Sequence, residues 1–90
     1  MAKSSSGNSQ PAEPDPDDIV AVFGVNLKAA RLKVGLTQAE LAERAGLLQQ
    51  YVSLVETGKQ NVTLTTAQAL AQVVEQKVSN MLRLKPVRRR

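Results

Sequence analysis

Residues 36–59 read LTQAELAERAGLLQQYVSLVETGK, and this stretch spells two short helices with a tight turn between them. Thr37 followed by Glu40 is a capping box: the hydroxyl accepts a backbone N–H of the first turn, and the carboxylate reaches back to the cap's own N–H. Leu41 and Ala42 then point inward, while Glu43 and Arg44 stay outside. Ala42 is small enough to let another helix cross closely. Gly46 supplies the left-handed residue that stops the helix. The next helix runs through LLQQYVSLVETG, with Val52 and Val55 at core spacing, Tyr51 flanking them and Gly58 at the end. Its start is the unusual part. A solvated helix start favours Asp or Glu, because the helix dipole attracts negative charge there. Here Gln49 and Gln50 occupy it, behind a leucine at position 48. Amides gain nothing from the dipole, but each can donate and accept at once.

The chain before this stretch, DDIVAVFGVNLKAARLKVG, reads as a first helix. Asp17 or Asp18 caps it and Gly35 ends it. Ile19, Phe23, Leu27 and Ala30 give one apolar face at helical spacing, with Val20 beside it and Lys28 and Lys33 off it. After the stretch, NVTLTTAQALAQVVEQKVSNMLRLK starts a helix capped by Thr63. Its apolar residues follow the 3.6-residue period from Leu64 to Leu82, as one long helix or as two bent near Lys77–Ser79. The flanks differ from the middle. Residues 1–17 are Ser, Pro, Gly and acid with almost nothing apolar, which reads as a disordered arm. Residues 86–90 form a basic tail, a solvated end or a nonspecific phosphate contact. The domain proper is expected over 18–85.

Composition narrows the function. Ninety residues make one small domain, and one Phe and one Tyr leave a thin core of Leu, Val, Ala, Ile and Met. There is no Cys and no His, so disulfides, thiolate metal sites and the commonest nucleophiles and general bases are missing. No enzyme, metal or cofactor is expected. No apolar run approaches the roughly 20 residues that span a membrane, and the last helix has too few Lys and Arg for an amphipathic membrane binder. With no signal peptide in view, a cytoplasmic protein is expected. The net charge of +4 hides an asymmetry: residues 19–90 carry eleven basic against four acidic side chains. That balance suits a polyanion partner.

The motif set is specific. Thr37-Gln38 before an apolar-acidic helix, Leu41-Ala42, Ala45-Gly46 and Ser53-x-x-Glu56-x-Gly58-Lys59 together resemble the helix-turn-helix of the Xre/Cro/phage-repressor family. The likeness runs from about Phe23 to Leu82. The paired glutamines bring it nearest the lambdoid phage repressors. The resemblance implies an all-α fold, a compact lambda-repressor-like bundle of about five helices. It also implies that the third helix enters the major groove of double-stranded DNA. Glutamine can make paired hydrogen bonds to adenine, so Gln49 and Gln50 are the expected base readers, with Ser53 and Leu54 one turn further on. Gln38, Tyr51, Thr57, Lys59, Gln60 and Asn61 are the expected backbone contacts, Lys59 foremost for its charge, and Gln38 is expected to touch a phosphate and brace Gln49. Arg31 and Glu56 are expected to form a partly buried ion pair that is structural.

Three positions depart from the family pattern. Leu48 replaces the usual Ser or Thr cap, Leu54 replaces a polar or basic reader, and the region of Glu75 lacks the usual Gly or Asn, which favours a longer continuous last helix. Val74, Val78, Met81 and Leu82, with Leu84, then form a dimer seam or cover the chain's own core. The expected function is a sequence-specific transcriptional regulator, a repressor in the first instance, binding a palindromic operator as a homodimer. TGKQNVTL also fits restriction–modification controllers. The alternative is an antitoxin-like interaction module that binds a toxin and regulates its own operon.

Overall fold

The computed structural model describes residues 14–84. The tail at 86–90 and all but the last residues of the arm at 1–17 lie outside them. Among the described residues the chain is all helix: α1 (Ile19–Lys33), α2 (Gln38–Ala45), α3 (Gln49–Glu56), α4 (Leu64–Val73) and α5 (Val78–Met81). Among the described residues no helix is long and apolar enough to cross a membrane.

Each longer helix begins where a short polar side chain can take an orphan N–H, with one exception. Asp18 accepts from the Ala21 N–H at 3.1 Å, and Thr63 accepts from the Thr66 N–H at 3.1 Å. Thr37 and Glu40 make both bonds of the capping box, at 3.0 and 2.9 Å. The Thr37 backbone N–H, helped by its hydroxyl, holds the Glu40 carboxyl below its ordinary range. The exception is α3: Leu48 makes no side-chain cap bond.

The helices α1 to α4 all close alike. The backbone N–H of Leu36, Leu47, Lys59 and Gln76 returns to the carbonyl five residues earlier, on Arg31, Ala42, Leu54 and Ala71. This Schellman-type closure needs a left-handed residue just before the donor. Glycine fills that place three times, at Gly35, Gly46 and Gly58. The fourth time it is Glu75, with φ 62°. The long continuous last helix is therefore corrected to two, broken at 74–77. The reason lies in packing. Val74 and Met81 are fully buried on opposite sides of the break, and Val78 and Leu82 pack beside them. A straight helix would carry Met81 away from this core, and burying such side chains outweighs the roughly 1–2 kcal/mol of a strained left-handed residue. Asn26 on α1 secures the returned segment, its side-chain amide donating to the carbonyls of Met81 and Arg83, both at 2.9 Å. Val74 and Met81 thus cover the chain's own core, and neither is free to form a dimer seam.

The core is Phe23, Leu27, Leu41, Val52, Val55, Leu70, Val74 and Met81 with small alanines between them. One expected core residue is corrected. Ile19 is 52% exposed, because it opens α1 beyond the reach of the other helices. Val22, with no exposed surface, takes the inward place. Behind it, Gly24 makes room for a close helix crossing: a Cβ there would lie 2.2 Å from the Val55 carbonyl oxygen. A mid-helix glycine weakens a helix by about 1 kcal/mol relative to alanine, and here it is what lets α3 lie against α1.

Arg31 and Glu56 lock that crossing. Arg31 Nε donates to Glu56 Oε2 at 2.6 Å and Nη2 to Oε1 at 3.0 Å. Nη1 donates to the Leu36 carbonyl at 2.8 Å. The two side chains are 8% and 1% exposed. The Glu56 hydrogen bond, with its charge adding and burial opposing, holds the guanidinium above its ordinary range. Its contribution to stability is therefore complete below that range and does not change near neutral pH.

Two expected outcomes follow for urea unfolding. Arg31→Met leaves Glu56 buried without its counter-charge and lowers stability by about 3–5 kcal/mol. Glu75→Gly relaxes the left-handed residue and raises stability by about 1 kcal/mol, which heating should register as a Tm increase of roughly 4–8 °C.

Candidate nucleic-acid interface

The turn between α2 and α3 is Gly46-Leu47-Leu48. Gly46 turns the chain in the left-handed region, with φ 73°. Leu47 then packs inward against the core cluster, and Leu48, in extended conformation, starts α3. The inner face of α3 is spent on the fold, since Val52, Val55 and Glu56 are buried. Its opening residues are not. Gln49 and Gln50 are both exposed, and neither takes part in a side-chain hydrogen bond among those of the described residues. Two unengaged amides thus stand side by side at the open end of a helix whose inner face is rigidly held.

Ser53 and Leu54, the other expected readers, are half-buried one turn further along. The expected backbone contacts divide by what their side chains already do. Lys59 is exposed just past the left-handed Gly58, and Asn61 is exposed nearby. Tyr51 is half-buried and packs on the core cluster. The Thr57 hydroxyl is turned back on its own helix, at 3.1 Å from the carbonyls of both Ser53 and Leu54. Gln60 donates its amide to the Asn61 carbonyl at 3.0 Å.

Gln38 requires a correction. Its side chain does not brace Gln49: Nε2 donates to Glu56 Oε1 at 3.0 Å. The buried carboxylate has unused lone pairs at that place, and a partly buried amide is better satisfied there than beside another solvated amide. Gln38 thus joins Arg31 and Glu56 in one network that ties α1, α2 and α3 together. Its backbone N–H, at the first position of α2, lies among the donors that a helix start leaves without intrahelical partners.

Two features of this arrangement have little or no signal in the sequence. One is Gly24, whose signal was present as a lone glycine inside an apolar helical run. The other is the Asn26 clip on the α5 segment, for which spacing gives no signal.

Comparison with known proteins agrees with this geometry. A sequence model described as Helix-turn-helix matches residues 27–75, more than half of the chain. A protein of Neisseria meningitidis serogroup B, named as a hypothetical transcription factor, is 40% identical over 62 residues, covering 68% of this chain and 58% of its own length; the match thus spans under two thirds of that relative. The control protein C.SmaI of Serratia marcescens is 36% identical over 73 residues, covering 77% of this chain and 87% of its own. The crystal structure of the hypothetical transcription factor NHTF from Neisseria superposes with a TM-score of 0.74 at 35% identity, covering 82% of this chain and 86% of that one. With the capped α2, the Gly46 turn and the buried inner face of α3 all in place, the chain belongs to the helix-turn-helix family.

Proposed function

We propose that the exposed opening of α3 is the surface that reads DNA, with Gln49 and Gln50 hydrogen-bonded to adenines in the major groove. The protein is a DNA-binding transcription regulator, in keeping with its relatives among transcription factors and controller proteins. The observation that carries the finer reading is the pairing of two unengaged, exposed amides with a helix locked from behind by Arg31, Glu56 and Gln38. A reading helix must be held firmly and present groups that both donate and accept. Ser53 and Leu54 extend the reading edge. Lys59 and Asn61 contact the sugar–phosphate backbone, and the backbone N–H of Gln38 meets a phosphate at the helix start. Tyr51, Thr57 and Gln60 are weaker contacts, since each is already packed or hydrogen-bonded within the chain.

The operator is read as an inverted repeat by a homodimer. Apolar surface left open supports a second copy: Leu64 is 77% exposed and, with Ile19 and Leu82, rims a groove over Phe23. Repression is the expected sign of regulation, and a cytoplasmic location follows from that role. No relative reported above is named as an antitoxin, and no observation favours the toxin-binding alternative.

Selection of bound sequences from a random duplex pool at near-physiological salt tests the reading. Wild type should enrich an inverted repeat. A Gln49→Ala, Gln50→Ala double variant, folded by circular dichroism, should lose preference at one or two A·T positions per half-site, at roughly 1–3 kcal/mol each. Retained preference would remove the glutamines from the reading edge. Lys59→Ala should instead weaken binding to all sequences alike, and lower the slope of log affinity against log salt by about 0.9 per protomer. An unchanged slope would place Lys59 away from phosphate.

A further inference from the structure

Leu48 is the most exposed large apolar side chain of the described residues, at 78%. Its position makes that unexpected. It stands one helical turn ahead of the buried Val52, where simple continuation of the α3 pattern would point it inward. The backbone prevents this. Leu48 is extended, with φ −82° and ψ 146°, and its neighbour Leu47 takes the inward place against the core. Leu48 is turned out toward solvent, beside Gln49 and Gln50.

The cap chemistry makes it stranger. Position 48 is the N-cap of α3, where Ser, Thr, Asp and Asn stabilise a helix by accepting an orphan N–H. The sequence places such a residue at the caps of α1, α2 and α4. At α3 alone among these it places leucine, and the cap bond is lost. The residue thus gains neither burial nor a hydrogen bond. A local rule broken with no return inside the fold points to a role outside it.

The major groove offers one apolar feature to such a side chain, the 5-methyl group of thymine. An A·T pair carries that methyl on the same groove edge as the adenine N6 and N7 groups that suit a glutamine amide. Resting on the major-groove reading of α3 proposed above, we infer that Leu48 is a specificity residue that packs on the 5-methyl group of a thymine in each half-site, next to the A·T positions read by Gln49 and Gln50. Leu54 is less suited to this, because it is half-buried within its own helix surface.

The test uses the full chain and the operator duplex that wild type selects. Each thymine is replaced in turn by deoxyuridine, which removes only the methyl group. Binding of each duplex is measured by fluorescence anisotropy for wild type and for Leu48→Ala, a change at an exposed residue that leaves the core untouched. At one thymine per half-site, wild type should lose affinity about three- to five-fold, as expected for one methyl group left in water. Leu48→Ala, which removes the contact from both half-sites, should bind the normal operator more weakly by the square of that factor, roughly 9- to 25-fold, and be indifferent to that replacement. Equal sensitivity of wild type and Leu48→Ala at every thymine overturns the inference. In that case a continued loss of preference in the Gln49→Ala, Gln50→Ala variant keeps the major-groove reading and removes Leu48 alone. If wild type selects no site, the major-groove reading fails and the Leu48 assignment falls with it.

Discussion

Burying the Arg31 guanidinium against the Glu56 carboxylate takes two charges out of water, and the desolvation penalty cancels much of their attraction. What the pair supplies is position. Its parallel hydrogen bonds hold one end of α3 against α1, and the Gln38 amide completes the carboxylate's shell from α2. Three helices are thereby referred to a single buried point. The crossing it secures is already tight, because Gly24 brings the backbone of α1 against the carbonyl of Val55. The outer face of α3 owes its orientation to these contacts, made wholly on the inner one.

Much of this was legible in the sequence because it follows from local chemistry. Thr37 and Glu40 at capping-box spacing, and Gly35, Gly46 and Gly58 at the ends of apolar patterns, mark helix boundaries without reference to the rest of the fold. Val52 and Val55 followed from periodicity. The misses are the features set by tertiary contact. The break before α5 was hidden because Glu75, not glycine, adopts the left-handed conformation; the demand came from Val74 and Met81, which a residue-by-residue reading does not see. Ile19 and Val22 both fit the helical period, and only the reach of the neighbouring helices decides which is covered. The partner of Gln38 is hidden for a similar reason: a flexible amide takes a buried acceptor within reach, and that acceptor lies eighteen positions along the chain. The exposed opening of α3 is visible in the sequence as Gln49 and Gln50, since two uncharged amides at a helix start have no local explanation.

The opening of α3 carries no charge of its own, while Lys59 stands a full helix length away at the other end. This division separates two kinds of interaction with a polyanion. Lysine is attracted to any phosphate and is screened by salt. Amides lose hydrogen bonds to water on contact and replace them only where the opposing surface offers matching partners, while an alkyl group gains only where an apolar surface meets it. On the proposed reading, the neutral opening of α3 therefore contributes little to binding the wrong sequence.

The two faces of α3 also separate two burdens. Val52, Val55 and Glu56 are needed for folding and lie inside. Leu48, Gln49 and Gln50 lie outside, and no cap bond or core contact depends on them. Substitutions at these outer positions can accumulate with little effect on the native state, so on the proposed reading the sequence preference of such a protein can drift quickly while its scaffold stays fixed. Descendants of one ancestral chain can thus come to occupy different sites in the same genome without passing through unfolded intermediates.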